Sequence, residues 1–298
     1  MTSLVCKCCA GPADPFVTVD FSRTCEDAKA PRFPPSGEPV TYFRCRACCL
    51  LFTPHFDILS AAQLAARIYN AEYATADPDF AEARPRYFAN LLRDVLEPAK
   101  DSIRALDFGG GQGLLARLMC EADFEGYASY DPFFGDPAPK SGGYDLITAF
   151  EVVEHSRDPI ASFQEMLALL RPDGAVLFST ALQPRCLDAD WWYIAPRNGH
   201  VSLHSRGSLQ HIARHLGVRL LSIDPTLHLF CRSPANLAAR LIIRRYERPM
   251  LRFASLGGFG PLLTAAWEVA RMGGVRAALD PHHAGRALLR YLNLAPPS

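Results

Sequence analysis

The sequence predicts an α/β protein built on a doubly wound, mostly parallel sheet with helices on both faces. Three observations support this prediction. Apolar strand-like segments alternate with helical ones from residue 101 to about residue 234, a glycine-rich turn follows the first of these strands, and the first two strands end in aspartate. A cysteine-rich module precedes this core and a helical, Arg-rich extension follows it.

Charge and hydropathy narrow the class of protein. The 298 residues include 31 basic and 31 acidic ones, which argues against a nucleic acid partner. No apolar run is long enough to span a bilayer, and no secretion signal opens the sequence. We therefore expect a cytoplasmic protein.

Composition divides the chain into four segments. They are a zinc-ribbon-like module at 1–60, a helical lid or linker at 61–100, a ligand-binding core at 101–234 with an insertion at 181–206, and a helical extension at 235–298.

The first segment contains two C-x-x-C pairs separated by a Pro-rich stretch. Their four thiols, in the number and spacing of a tetrahedral zinc site, belong to Cys6, Cys9, Cys45 and Cys48. Such a site has no open coordination position, so the predicted zinc is structural. Cys8 or Cys49 could replace its neighbour as a ligand, and Cys25 could also bind. The alternative is a set of free or disulfide-linked cysteines.

The second segment reads as helical, with Tyr69 and Tyr73 four residues apart and so on one face. These aromatic rings could cover a ligand bound to the core, or they could be ordinary packing residues.

The core opens with the strand and turn ALDFGGGQG, in which Asp107 precedes Gly109, Gly111 and Gly113. Glycines at alternate positions allow a sharp turn and let a ligand touch the backbone at the start of the next helix. A dinucleotide fingerprint starting at Gly109 requires glycine where Leu114 stands, which weakens a nicotinamide interpretation.

The remaining core segments follow in the order of a βαβ protein. The second strand ends at Asp131, whose carboxylate can accept hydrogen bonds from both hydroxyls of a ribose. A strand is predicted over 144–155, a helix to Arg171, a turn at 172–174 and a strand over 175–180. An antiparallel strand pair at 219–225 and 228–232 closes the sheet.

The glycine turn, the acidic strand end and the segments AFEVVEHSRDP and RPDGAVLFST together resemble the class I S-adenosylmethionine-dependent methyltransferases. The resemblance spans residues 102 to about 234 and implies a Rossmann-like fold. Gly110 is an additional glycine that departs from the family pattern, and we expect it not to interfere with ligand binding at the turn. The implied contacts are Asp107, Gly109, Gly111 and Gly113 to the methionine portion, Asp131 to the ribose, and Pro132 and Phe133 to the adenine.

The insertion combines flat aromatic faces, hydrogen-bond donors and titratable bases, a mixture typical of a substrate pocket. Its candidate substrate contacts are Trp191, Trp192, Tyr193, Arg197 and Asn198.

Methyl transfer to a hydroxyl or carbon needs a base to remove a proton. His200 is the first candidate, His204 the second and His155 the third; each could instead be held only by hydrogen bonds. Glu151 and Glu154 could orient the base or be solvated. His200 and His204 could also form a metal pair, although the sequence offers no third ligand beside them.

Arginines recur at helical spacing after residue 234. This face could lie on anionic lipid or another polyanion. The simpler interpretation is a solvated face on helices that pack on the core or on another subunit.

The resemblance thus implies methyl transfer from S-adenosylmethionine to a small-molecule or carbohydrate acceptor. The carbohydrate suggestion comes from sugar methyltransferases that carry an amino-terminal zinc module. The alternatives are an RNA or protein methyltransferase docked through its zinc ribbon, or a non-catalytic zinc-dependent scaffold. The sequence leaves the acceptor and the oligomeric state open.

Overall fold

A computed structural model describes residues 4–133, 139, 142–233 and 236–254, the last nine of them by their backbone alone. The chain divides into two compact units, Met1–Ile242 and Ile243–Ser298, and the two sheets described below belong to the first.

The core is a six-stranded sheet. Its strands are β5 (Ala105–Phe108), β6 (Tyr127–Tyr130), β7 (Tyr144–Phe150), β8 (Leu170–Ser179), β10 (Arg219–Ser222) and β11 (Leu227–Cys231). They lie in the order β10, β11, β8, β7, β5, β6. Strands β6, β5, β7 and β8 are parallel, β11 pairs antiparallel with β8, and β10 pairs antiparallel with β11. This confirms the predicted doubly wound, mostly parallel α/β fold. Chain order reverses between β5 and β7, a position at which open α/β sheets bind ligands.

Helices cover this sheet, and local capping fixes where several of them begin. Asp158 caps one helix by accepting a hydrogen bond from the Ala161 N–H at 3.0 Å, and Ser205 caps another through the Ser208 N–H at 3.0 Å. These helices are α3 (Ala83–Leu96), α4 (Leu114–Cys120), α5 (Pro159–Leu169) and α6 (Arg206–His215). A further helix, α7 (Leu237–Ala254), follows the last strand in sequence.

Strand β8 begins earlier than the sequence predicted. Helix α5 ends at Leu169, and the expected turn at 172–174 lies inside β8 as an irregularity opposite Tyr144 and Leu146. A side chain at Gly174 would meet Leu170 at 2.8 Å, so the strand can fold back this closely only at glycine.

The second sheet is antiparallel in the order β1, β2, β3, β4, β9. Its last strand comes from the insertion, so the sheet joins the cysteine module to the core. Cys6, Phe52, Leu106 and Phe178 belong to one continuous hydrophobic cluster. The strands are β1 (Leu4–Val5), β2 (Pro12–Asp20), β3 (Pro39–Cys45), β4 (Leu51–Phe52) and β9 (Ser202–Leu203).

Two short helices, α1 (Ala61–Arg67) and α2 (Tyr73–Ala76), lie between the sheets in sequence. Their apolar side chains pack with Phe56 and Val201, so this segment contacts both the cysteine module and the insertion.

The predicted extension is described as far as residue 254. Along α7, Ala239 and Ile242 are buried while Arg240, Arg244 and Arg245 are exposed. The rest of the extension, and most of the loop after Phe133, lie outside the described residues. Among the described helices, none has the length and hydrophobicity needed to cross a bilayer.

Candidate active site

A cavity of about 550 Å³ lies at the carboxyl ends of the parallel strands, where the chain order reverses. The glycine turn and Asp131 form one side of its lining. Glu151 directly follows β7, His155 lies in the short turn at 153–155, and Tyr69 and Tyr73 come from the helical segment.

The glycine turn needs glycine for two different reasons. Gly109, Gly111 and Gly113 all have positive φ, at 73°, 56° and 72°. A side chain at Gly109 would also lie 2.7 Å from a methyl group of Val152, whereas one at Gly111 would meet nothing within 4 Å. The backbone at Gly111 is therefore open to a ligand.

Asp131 is 7 % exposed and stabilises the turn through both carboxylate oxygens. Oδ2 accepts a hydrogen bond from the Gly111 N–H at 2.9 Å, and Oδ1 accepts one from the Phe133 N–H at 2.8 Å. Asp131 also lines the cavity.

Asp107 lies beneath the turn, 4 % exposed, and accepts a hydrogen bond from the Thr148 hydroxyl at 3.0 Å. Burial, with a smaller contribution from the Asp131 carboxylate, raises the pKa of Asp107 to about 7 despite that hydrogen bond.

Pro132 and Phe133 line the cavity beside Asp131. The Phe133 ring lies 5.1 Å from that of Tyr69, which lies 5.1 Å from that of Tyr73. The helical segment thus places aromatic rings next to the predicted adenine position.

Glu151 is held at positive φ, 54°, a conformation that costs a residue with a side chain about 1–3 kcal/mol. Its carboxylate accepts hydrogen bonds from the Ser179 hydroxyl at 2.7 Å and the Tyr193 hydroxyl at 3.1 Å. Strain maintained by neighbouring contacts marks this position as a candidate functional residue.

The three candidate bases occupy different positions. His155 lines the cavity, and His200 lies behind it with ring centroids 5.1 Å apart. Burial and the neighbouring His200 lower the pKa of His155 to about 3, and burial lowers that of His200 to about 4. His204 is fully buried with Nδ1 3.3 Å from the Ser208 hydroxyl, and it does not line the described part of the cavity.

The five candidate substrate residues do not line the cavity as far as the described residues form it. Tyr193 is buried and supports Glu151, Trp191 is partly buried against the second sheet, and Trp192 is 43 % exposed.

Arg197 and Asn198 tie the insertion to the helical segment. The Arg197 guanidinium donates to the Ile68 carbonyl and to Asn70 Oδ1, both at 3.0 Å. The Asn198 amide donates to the Ala76 carbonyl at 3.1 Å.

Arg84 is a cavity residue that the sequence analysis missed. Its guanidinium forms a two-point ion pair with Asp77, with N–O distances of 2.8 and 2.9 Å. Nothing in the local pattern distinguishes this arginine from a solvated helix residue.

The four predicted zinc ligands, Cys6, Cys9, Cys45 and Cys48, lie together, with all four sulfur atoms within 4.8 Å of one another. Backbone N–H groups of Ala47 and Cys48 point at the Cys45 sulfur at 3.3 and 3.4 Å. All ten cysteines are free thiols. Cys8 instead points towards the Ser208 carbonyl at 3.6 Å, and Cys49 lies outside the cluster.

Comparison with known proteins finds that the core is similar to methyltransferases. A model of a methyltransferase domain family matches residues 80–223. The chain is similar to a ubiquinone biosynthesis O-methyltransferase of Actinobacillus pleuropneumoniae serotype 7, with 26 % identity over 129 residues covering 33 % of this chain and 55 % of the relative. The enzyme of that name from Vibrio campbellii is 42 % identical over 43 residues, 14 % of this chain and 18 % of the relative.

The chain thus spans about half the length, or less, of these curated relatives. Among solved structures, one from Thermotoga maritima described as an S-adenosylmethionine-dependent methyltransferase, possible histamine N-methyltransferase, matches with a TM-score of 0.38 and 14 % identity over 57 % of this chain and 98 % of that one.

Proposed function

We propose that this chain is an S-adenosylmethionine-dependent methyltransferase and that it methylates a hydroxyl oxygen of a small molecule. The observation that carries the proposal is the cavity where the chain order reverses, which has a glycine turn and acidic strand end on one side and Glu151 and His155 on the other. Its volume of about 550 Å³ is within the usual range for small-molecule sites.

The cofactor would lie along the glycine turn. The open backbone at Gly111 supports contact with the methionine portion, and Asp107 and Gly109 line the same part of the cavity. Gly113 does not line the described cavity, so its predicted contact stays a prediction. Asp131 lines the cavity and would bind the ribose, and Pro132 and Phe133 would flank the adenine.

The acceptor would approach from the Glu151 and His155 side. Its oxygen attacks the sulfonium methyl group, the S–CH₃ bond breaks, the sulfur leaves as a neutral thioether, and the hydroxyl proton must be removed. His155 replaces His200 as our first candidate base, because His155 lines the cavity. A pKa of about 3 makes it a weak base, so Glu151 is the second candidate.

Two observations favour a small acceptor. The curated relatives are named for O-methylation in ubiquinone biosynthesis. Docking of RNA on the ribbon would need free basic residues, but Lys7 is paired with Asp57 and Arg46 with Asp14. A carbohydrate hydroxyl is the second acceptor class within this proposal.

The cysteine cluster fits a structural zinc ion. Four sulfur donors within 4.8 Å of one another, with backbone N–H groups directed at one of them, match the chemistry of a four-thiolate site. The ion would stabilise the turns that contain the two C-x-x-C pairs, and it would take no part in methyl transfer.

The proposal is tested by calorimetric titration with S-adenosylhomocysteine, followed by an assay with labelled S-adenosylmethionine against phenolic and sugar hydroxyl acceptors. We expect binding and transfer of label to an oxygen. Absence of binding at high micromolar ligand would remove the proposal. Transfer of label to RNA or protein, but not to small molecules, would support the docked-ribbon alternative instead.

A further inference from the structure

Four aromatic rings that line the cavity form a continuous row, with neighbouring ring centroids 5.0, 5.1 and 5.1 Å apart. In order, the rings of this aromatic row belong to Phe80, Tyr73, Tyr69 and Phe133. Phe133, at one end, is a predicted adenine contact. We propose that Arg197 and Asn198, which do not line the described part of the cavity, are positioning residues that hold the aromatic row in place for cofactor binding. The part that concerns the cofactor rests on the proposed function.

Arg197 and Asn198 act on the helical segment at the ends of its two short helices. The two tyrosines of the aromatic row lie just after α1 and at the start of α2. The last carbonyl groups of a helix have no partner within that helix. The Arg197 guanidinium donates to the Ile68 carbonyl, just after α1. The Asn198 amide donates to the Ala76 carbonyl, which ends α2. Two adjacent residues of the insertion thus fix both helices.

Asn198 joins the helical segment to the cysteine module. Its side chain is almost fully buried, and its Oδ1 accepts a hydrogen bond from the Cys25 N–H at 3.0 Å. Its backbone carbonyl accepts one from the Tyr73 hydroxyl at 3.4 Å. One ring of the aromatic row is therefore bonded directly to Asn198.

Arg197 is held from the cysteine module in a similar way. Its backbone N–H donates to the Arg23 carbonyl at 3.1 Å. Its guanidinium lies 5.0 Å from the centroid of the Phe33 ring, within the range of a cation–π contact. Both positioning residues are thus anchored to the cysteine module as well as to the helical segment.

Two further features hold the helical segment close to the insertion and to the core. Gly199 has φ of 87°, and a side chain there would lie 2.9 Å from Ile68 and 3.4 Å from the Tyr69 hydroxyl. The close approach of α1 to the insertion therefore requires glycine. On the far side of α2, the ion pair between Asp77 and Arg84 connects its end to α3.

Rings that are already in place lower the cost of binding a ligand. If α2 were free to move, the cofactor would have to order the rings of Tyr69 and Tyr73 as it binds, and this ordering would reduce its affinity by about tenfold. The hydrogen bonds from Arg197 and Asn198 supply that order before the cofactor arrives.

The test compares Asn198→Ala with the unchanged full chain by amide hydrogen exchange and calorimetry. Exchange in residues 68–77 should become about tenfold faster, because the Ala76 carbonyl loses its donor and α2 opens locally. Exchange in residues 105–120 of the core should stay the same, which a general loss of stability would not allow. Affinity for S-adenosylhomocysteine should fall by about tenfold.

Asn236→Ala is the matched control. Asn236 is also buried, its Oδ1 accepts a hydrogen bond from the Ala239 N–H at 2.9 Å, and it does not line the described cavity. This variant should match the unchanged protein in both measurements. Unchanged exchange in residues 68–77 or unchanged affinity in Asn198→Ala, or equal losses in the two variants, would overturn the inference.

The same data separate this inference from the proposed function. If the unchanged protein does not bind S-adenosylhomocysteine, the proposed function fails, and exchange in residues 68–77 alone decides whether Asn198 positions the aromatic row. If Asn198→Ala does not fold, Arg197→Met decides in the same way, because it keeps a long side chain and removes the donors to Ile68 and Asn70.

Discussion

At Asp107 the cost of burying a carboxyl group determines how the cavity responds to pH. The pKa of about 7 means that the group is about half protonated at neutral pH without a ligand. The methionine portion of the cofactor carries an ammonium group, and a cation near Asp107 favours its ionised form.

We therefore expect affinity for S-adenosylhomocysteine to rise as the pH rises through about 7, and to weaken by up to about tenfold per pH unit below it. Asp107→Asn should flatten this dependence. Calorimetry from pH 6 to pH 8 measures both, and a slope that persists in the variant would assign the titration to another group.

Asp131 provides the second prediction at this scale. Asp131→Ala should weaken binding of S-adenosylhomocysteine by about 10- to 100-fold, because hydrogen bonds to a charged group contribute about 1.5–3 kcal/mol. Asp145→Asn is the control, since Asp145 bonds to Arg104 and Arg171 and does not line the described cavity. Equal losses in the two variants would show a general effect on the sheet.

At the scale of elements, two glycines of the turn have different roles, one in the stability of the fold and the other in ligand binding. Both Gly109→Ala and Gly111→Ala place a side chain at positive φ, which costs about 1–2 kcal/mol of folding free energy. Gly109→Ala should lower the stability of the fold by more, because only its methyl group would also overlap with Val152. Gly111→Ala should mainly weaken binding of S-adenosylhomocysteine, since its methyl group would enter space open to the ligand. Thermal unfolding and calorimetry on both variants check the order, and the reverse order would contradict this account of the turn.

The second sheet, which contains the cysteine module, leads to a prediction about whether that module and the core unfold together. The Ser205 hydroxyl donates to the Cys48 carbonyl at 2.7 Å, and the Gln183 amide donates to the Cys49 carbonyl at 2.7 Å. Cys45→Ser removes one ligand of the predicted zinc. We therefore expect the cysteine module and the core to unfold together, in a single thermal transition at a lower temperature than in the unchanged protein. Cys120→Ser, at an exposed position, should not lower that temperature. A separate early transition in Cys45→Ser would show that the module unfolds alone.

At the scale of the whole molecule, buried histidines make the fold sensitive to acid. Burial lowers the pKa of His204 to about 3 and that of His228 to about 4, from an ordinary value of 6.5. Between about pH 6.5 and pH 4 the unfolded chain binds these protons and the native chain does not. The contribution of these neutral histidines to the free energy of unfolding is therefore complete above about pH 6.5. It is lost as the pH falls below that value, by up to about 1.4 kcal/mol per pH unit for each histidine.

Urea unfolding from pH 5 to pH 7 measures this slope. His204→Gln combined with His228→Gln should make it shallower by the contribution of two protons. An unchanged slope would mean that these histidines are already protonated in the native chain.

How much of this could be predicted from sequence depends on how local each signal is. The glycine turn and Asp131 lie in short stretches whose backbone conformation sets their position, so their place at the cavity followed from the pattern. The predicted strand over 144–155 ends at Phe150, and His155 lies in the turn that follows it and lines the cavity. The composition of the insertion favours His200 and His204 as bases, but composition does not show which histidine faces the cavity.

The insertion shows why the rest could not be predicted. Composition indicates that Trp191, Arg197 and Asn198 are aromatic or polar, but the direction of each side chain depends on β4 pairing with β9 and on contacts with residues 68–76. Those contacts join segments more than a hundred residues apart, and no local periodicity encodes them. Whether these residues contact the acceptor stays a prediction.

The β4–β9 pairing also has a consequence for synthesis of the chain. Ribosomes add about 5–20 residues per second, and domains generally fold as units while the chain emerges. The edge of β4 that Ser202 and Leu203 cover stays unpaired until they emerge, some 150 residues after Leu51. An early metal ion on the cysteines would keep the first strands folded through that interval, so zinc supply during translation should affect the yield of folded chain as well as its final stability.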